Sequence, residues 1–241
     1  MRIHYFQHDH FEDLGYIGYW AMKNNIETTK TRFDLGELPP KDHSYDWLVI
    51  LGGKMSVYDQ SEFPWLHNEI EFIQEAISLG KIVIGICLGS QLVAKAAGAE
   101  VFKNKEPEMG FWPVKFTGDA VKDVVFRHFP AELTVLHLHF DTFSLPIGAL
   151  KMAFSEATSC QAFRIRENIF AFQFHFEVTP ENIDGFIKEV EPEIVTGNYS
   201  QSPPEMLALA GCCAENNQIF NNILNEIQMI SQKTSADISL T

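Results

Sequence analysis

Cysteine is scarce. The 241 residues hold four, Cys87, Cys160, Cys212 and Cys213, and no two are spaced as CxxC. That excludes a zinc ribbon and a disulfide framework and points to free thiols in a reducing compartment. Long apolar runs are lacking too. No stretch approaches the roughly 20 apolar residues of a membrane-spanning helix, and the opening MRIHYFQHDH has no basic-then-apolar signal layout, so a cytoplasmic protein is expected. Positive charge is in deficit: 18 Lys plus Arg stand against 32 Asp plus Glu, a formal net charge of −14. A nucleic-acid backbone needs a basic face and anionic lipid repels an acidic one, so neither partner is expected. The chain has no Gly-rich phosphate loop of the Walker type, no ATP-pyrophosphatase region, no internal repeat and no low-complexity tract. No cofactor and no metal is implied by any motif. His4, His8 and His10 read as a polar stretch at the rim of a sheet, and Cys212-Cys213 as packing at the opening of a helix.

What remains is an ordinary globular composition, 46% hydrophobic and 21% charged. No linker divides it, so a single domain over residues 1–241 is expected, with 231–241 as a frayed polar tail. Residues 2–7 read as a strand, 15–25 as a helix and 26–33 as a second strand. Residues 45–51 form a short apolar run stopped by Gly52-Gly53, the look of a strand buried on both faces. Leu66, Ile70, Ile73 and Ile77 recur at helical spacing between Pro64 and Gly80, a start and a stop signal. Residues 81–86 (KIVIGI) read as another strand and 88–97 as another helix. Alternating strands and helices predict crossover units and a mostly parallel sheet, hence an α/β fold. Beyond Ala99 short β-rich runs dominate, at 100–102, 111–116, 134–137, 149–155, 160–165 and 169–178. Helices return at 181–190, 204–210 and 215–230.

The sharpest local signal is Gly85-Ile86-Cys87-Leu88-Gly89, placed where an apolar strand turns into a helix. This is the G-x-nucleophile-x-G layout of a nucleophile elbow. Glycines on both sides let strand and helix approach, and the thiol projects at the first turn of a helix, where unpaired N–H groups and the dipole lower a cysteine pKa. The Leu88 N–H is placed to donate to an oxyanion. The second signal is Phe172-Gln173-Phe174-His175-Phe176-Glu177. Strand alternation puts Gln173, His175 and Glu177 on one face and the three phenylalanines on a buried face. Residues two apart are about 6.6 Å apart along a strand, so Glu177 can hold the tautomer of His175 and leave its other nitrogen for a nucleophile.

Nucleophile, then histidine, then an acid two residues on is not the α/β-hydrolase order. With Leu51-Gly52-Gly53-Lys54-Met55-Ser56, Gly85 to Gln91, His139-Phe140-Asp141-Thr142-Phe143-Ser144-Leu145-Pro146 and Gln173 to Glu177 in this order, the chain resembles the class I (triad) glutamine amidotransferases, in particular free-standing GMP-synthase-like members. The resemblance implies a flavodoxin-like central sheet, mostly parallel, flanked by helices and carrying extra antiparallel strands. It implies Cys87 as nucleophile, His175 as base and acid, Glu177 as orienting carboxylate, and an oxyanion hole from the N–H groups of Gly53 and Leu88. It further implies Gln91 and the backbone at Gly110 and Phe111 as contacts to a small substrate, with His139-Phe140-Asp141 in a loop shaping the site. The chain departs from the family in Lys54, where Pro is common and where a cation could meet a substrate carboxylate. It also departs in Phe176, where synthase-linked members have Pro, and in Leu138 and Phe140.

Three readings follow. The first is an enzyme that cleaves a γ-glutamyl amide, either with a synthetase partner subunit or alone on γ-glutamyl peptides. The second is a non-catalytic regulatory protein that keeps the fold. The third is a redox-sensing cysteine protein of related topology; such proteins usually carry an acid beside the elbow cysteine, and none is apparent in the sequence.

Overall fold

The structure, a computed structural model, describes residues 1–238, with side chains to Lys233. Its strands are β1 (Arg2–Gln7), β2 (Glu27–Arg32), β3 (Trp47–Ile50), β4 (Ile82–Ile86), β5 (Val101–Phe116), β6 (Glu132–Phe143), β7 (Leu150–Phe154), β8 (Ala162–Ile165) and β9 (Ile169–Phe172). Its helices are α1 (Gly15–Lys23), α2 (Trp65–Ser78), α3 (Leu88–Ala96), α4 (Gly118–Lys122), α5 (Ile183–Val190), α6 (Pro203–Ala208) and α7 (Cys212–Ile238). The strands form one sheet in the order β2-β1-β3-β4-β9-β8-β7-β5-β6. The block from β2 to β9 is parallel, and the remainder is antiparallel. This is the expected α/β architecture with its antiparallel addition.

Period-two alternation sorts the apolar runs onto two cores. Trp47 and Val49 of β3 and Ile82, Ile84 and Ile86 of β4 face one side, where Ile17 and Trp20 of α1 and Phe220, Ile223, Leu224 and Ile227 of α7 cover them. Leu48, Ile50 and Val83 face the other side, against Leu66, Ile70 and Ile73 of α2 and Leu92 and Val93 of α3. Both faces of the parallel block are thus closed, and a fully buried Ile, Leu or Val side chain contributes about 1.5–3 kcal/mol. Ile77, expected on the α2 stripe, is only partly buried at its edge.

Strand β9 is shorter than the expected 169–178. It ends at Phe172, and the next residues leave the ladder, holding one isolated bridge between His175 and Leu136 of β6. Phe172, Phe174 and Phe176 still point into the core, and the rings of Phe172 and Phe176 meet edge-on at 4.6 Å. Gln173, His175 and Glu177 are buried as well, so neither face of this segment is open. Phe186 of α5 covers His175, Gln91 of α3 meets Gln173, and on the phenylalanine side Asn217 of α7 donates Nδ2–H to the carbonyls of Phe176 and Val178. Because β6 is the last strand of the sheet yet touches the segment after β9, the antiparallel half curls back on itself around Val114, Val135, Met152, Ala162 and the phenylalanines. His139, Phe140 and Asp141 lie within β6, not in a loop. The last helix opens at Cys212, with Cys213 buried beneath it, and runs to Ile238. The expected tail thus falls on the end of this helix and on 239–241, which lie outside the described residues.

Candidate functional site

Chain turns into helix immediately after β4. Cys87 stands on that turn at φ 52° and ψ −111°, a conformation costing a side-chain-bearing residue about 1–3 kcal/mol. The turn is pinned. The Cys87 N–H donates to the Phe172 carbonyl at 2.8 Å, the Gly89 N–H to the Leu51 carbonyl at 3.1 Å, and the Ser90 hydroxyl to the Cys87 carbonyl at 2.6 Å. A Cβ on Gly85 would stand 2.5 Å from the Gly89 carbonyl oxygen, and one on Gly89 2.0 Å from that of Ile50. Close approach of β3, β4 and α3 therefore demands both glycines. It sets the thiol at the carboxyl ends of the parallel strands, where open α/β sheets bind ligands.

His175 reaches the same place from beyond β9. Its Nδ1–H donates to Glu177 Oε1 at 2.6 Å, while Glu177 Oε2 accepts the Phe176 N–H at 3.0 Å. The imidazole lies near enough to Cys87 for each to shift the other's titration. Cys87 Sγ lies 3.4 Å from the Leu138 carbonyl oxygen. Burial works against the His175 cation, but Glu177 and Cys87 outweigh it and hold the imidazole well above its ordinary range. Burial pushes the thiol up; His175 offsets part of this, and Glu12 and Glu177 add to it. The expected lowering by the helix N-terminus is overturned, because the thiol is buried and has two carboxylates for neighbours.

Gly53 and Leu88 face the same cavity, and neither N–H meets an acceptor among the described residues. The Gly52 carbonyl is tied down from behind by His8, whose Nδ1–H donates to it at 2.8 Å and whose Nε2–H donates to Glu69 Oε1 at 2.9 Å. Burial lowers the His8 pKa, but Glu69 outweighs it and raises it overall. The imidazolium is stacked between Phe33 and Trp65, each ring centroid 5.5 Å away. The rim reading of this histidine is thereby corrected: it is a buried tether of the glycine loop. His4 is bonded to Thr29 and Thr31 within the sheet, and His10 lies at the surface beside Glu189.

Gln91, one turn into α3, donates to the Asp141 carbonyl at 3.2 Å and lines the cavity. Lys54 lines its mouth, more than half exposed, with Nζ 3.6 Å from Asp9 Oδ1. Gly110 and Phe111 are not among the lining residues; Met109 is. The Phe111 N–H is already taken by Gln201 Oε1 at 2.9 Å, and the Gln201 side chain fills the space a Cβ on Gly110 would need. The expected backbone contact to substrate there is corrected accordingly.

Glu12 is the residue that the sequence did not disclose. It comes from the loop after β1, is 8% exposed, and lines the cavity beside the thiol. A Cβ on Gly52 would stand within 2.0 Å of its carboxylate, so the side chain lies flat on the glycine loop. Burial pushes its pKa up to about 7, opposed by the His175 cation and assisted by Glu177 and Asp9. An acid does stand beside the elbow. The available signal was its place past the carboxyl end of β1, at the sheet end that carries Cys87.

The cavity measures about 190 Å³, small against the roughly 300–1,000 Å³ of sites for larger ligands. It suits an amino-acid-sized group. A second concavity, lined by Tyr5, Tyr16, Tyr19 and Asn217 among others, holds no cysteine or histidine. Among the described residues, Glu108, His137 and His139 are close enough to share a metal ion. Glu108, however, already accepts hydrogen bonds from Ser155, Thr158 and Gln161. Burial disfavours its charge, but His139, His137 and Ser155 hold its pKa down to about 2. Its carboxylate is thus well matched, while His137 Nδ1 and Gln161 Oε1 have no hydrogen-bond partner among the described residues.

The sequence profile of the class-I glutamine amidotransferases matches residues 16–189. The chain is 34% identical over 215 residues to the glutamine amidotransferase-like protein YfeJ of Salmonella typhimurium, covering 86% of this chain and 90% of that one. It is 28% identical over 161 residues to γ-glutamyl peptidase 4 of Arabidopsis thaliana, covering 64% of this chain and 63% of that one. Among solved structures, SMU.1228c superposes with a TM-score of 0.87 at 30% identity, over 95% of this chain and all of that one. No helix among the described residues is long and apolar enough to cross a membrane. With the profile covering most of its length, the chain belongs to the class-I glutamine amidotransferase family.

Proposed function

We propose that the protein cleaves a γ-glutamyl amide, glutamine or a γ-glutamyl peptide, through a thioester on Cys87. The observation that carries this reading is His175 beside Cys87, with its Nδ1–H held by Glu177 at 2.6 Å. The Cys87 thiolate, paired with the His175 imidazolium, attacks the γ-carbonyl. The oxygen takes up charge between the N–H groups of Gly53 and Leu88. His175 gives its Nε2 proton to the nitrogen, the C–N bond breaks and the amine leaves. Water then attacks the thioester, its proton passes to His175, and glutamate departs with the thiolate restored. Gln91, Ser56, Asp141 and Lys103 surround the glutamyl end, offering the opposite charges that an amino acid's ammonium and carboxylate seek.

Lys54 stands at the mouth and pairs with a carboxylate on the leaving side, which a γ-glutamyl peptide has and glutamine lacks. The test is glutamate release from glutamine, a γ-glutamyl dipeptide and that dipeptide's C-terminal amide. Cys87→Ala should lower turnover by about 10⁴-fold or more. Lys54→Met should abolish a few-fold preference for the free carboxylate, the size of a half-exposed pair. Turnover surviving in Cys87→Ala, or no glutamate from any of the three, defeats the proposal.

A further inference from the structure

Glu12 is not needed for the chemistry just described, yet it lines the same cavity as Cys87. More than nine-tenths of the residue is buried, it lines the cavity, and no hydrogen bond to its carboxylate exists among the described residues. Buried carboxylates are ordinarily matched by donors. Glu108 has four partners, and Glu177 has two bonds. A buried carboxylate that faces a cavity with none is a site awaiting a donor.

Its position says which donor. The loop that carries Glu12 packs on Glu177: Tyr16 N–H donates to the Glu177 carbonyl at 2.8 Å, and Gly15 touches the same carbonyl. On its other side the carboxylate lies on Gly52. Glu12 therefore stands on the His175 side of the nucleophile, away from Gln91 and Asp141 on α3 and β6. Phe11 lies on that side too, meeting Phe186, which in turn packs on His175, and Glu193 interacts with Asp9 and Lys54 at the mouth. We infer that Glu12 binds the leaving amine: its carboxylate accepts hydrogen bonds from the nitrogen as His175 protonates it and as the C–N bond breaks. The inference rests on the γ-glutamyl reading above.

The atoms balance without another reactant. The Sγ–C bond forms, the His175 proton moves to nitrogen, the C–N bond breaks, and Glu12 stays ionised throughout while it offsets the positive charge on that nitrogen. A leaving alcohol carries no such charge, so the device favours amides over esters. It also suits Lys54: a leaving amino acid presents its nitrogen to Glu12 and its carboxylate to the lysine. The charged and titratable groups around Glu12 are Asp9 and His8 from the strand and loop before it, His175 and Glu177 beyond β9, Cys87 on the elbow, and Lys54 and Glu193 at the mouth. Ionised Glu12 is the binding form, so the amide preference should grow as pH rises from 6 to 8.

The experiment compares wild type with Glu12→Gln, which keeps the volume lying on Gly52. At pH 8, kcat/KM is measured for γ-glutamyl methylamide and for glutamate γ-methyl ester. The amide-to-ester ratio should fall about 10- to 100-fold in the variant, the worth of one charge-assisted hydrogen bond. A ratio within twofold of wild type overturns the inference, since a residue that merely supports the loop would slow both substrates together. A second readout does not depend on the substrate. Labelling of Cys87 by 2-aminoethyl methanethiosulfonate relative to methyl methanethiosulfonate, read by mass spectrometry, should favour the cation in wild type and lose that bias in Glu12→Gln. An unchanged bias overturns the inference whatever the protein hydrolyses. A lost bias with no amide cleaved keeps the cation site and defeats the γ-glutamyl reading instead.

Discussion

Cys87 is caught between two influences that its surroundings decide. The helix end and His175 favour the thiolate, while burial and the carboxylates of Glu12 and Glu177 disfavour it, and the second group prevails. Reactivity follows thiolate fraction. The rate of Cys87 alkylation by iodoacetamide should therefore keep climbing as pH rises from 7 to 9, where a thiol with a lowered pKa would have levelled off below 7. A plateau beginning near pH 6, followed by peptide mass spectrometry, would contradict that balance. Cys87, His175 and Glu177 were legible in the sequence because each is announced by a local rule, flanking glycines in one case and period-two spacing in the other. Glu12 and His8 were not. Both sit in the aperiodic run HDHFED, and they acquire meaning only because the sheet order sets β1 beside β3. The state of the thiol was illegible for a related reason: burial belongs to the assembled molecule, not to five residues.

At the scale of elements, the parallel half is legible in the sequence, since short apolar runs bounded by Gly and Pro leave little choice of boundary. The antiparallel half shows in the sequence only as fragments. Strand β5 carries Asn104, Lys105, Glu106 and Pro107 midway, where its pairing with β6 shifts register between Lys103 and Glu108, so the sequence looks like two strands around a loop. The elbow also makes a prediction that separates two kinds of glycine. Gly89→Ala forces a methyl group onto the Ile50 backbone, which cannot yield without moving β3. It should cost about 3 kcal/mol. Gly185→Ala in α5 meets nothing within 4 Å, and should stabilise by up to about 1 kcal/mol through helix propensity. Urea unfolding of both variants checks this. Equal effects would mean that the tight junction at the elbow is not rigid.

For the whole molecule, the resting site is assembled but not primed. Cys87, His175 and Glu177 are brought together, yet burial and two carboxylates work against the thiolate, and the glycine loop proposed to receive the oxyanion is braced from behind by the His8 imidazolium. We propose that a synthetase partner, or a substrate larger than glutamine, completes it. The isolated chain should accordingly turn over free glutamine slowly, below roughly 10 s⁻¹, an ordinary enzymatic rate. Stopped-flow glutamate release above that rate from the lone chain would remove the need for a partner. The overall negative charge, −14, bears on what such a partner presents: a basic docking face would gather the chain faster at low salt.

The bridge between His175 and Leu136 has one more consequence. The His175 N–H donates to the Leu136 carbonyl at 2.8 Å, and there the far edge of the sheet returns to meet its middle. His175 is thus the clasp of a bracelet whose links are β9, β8, β7, β5 and β6. Strain or loosening in any link is delivered to this one amide, so deuterium uptake at the His175 N–H gauges whether the candidate site is fastened.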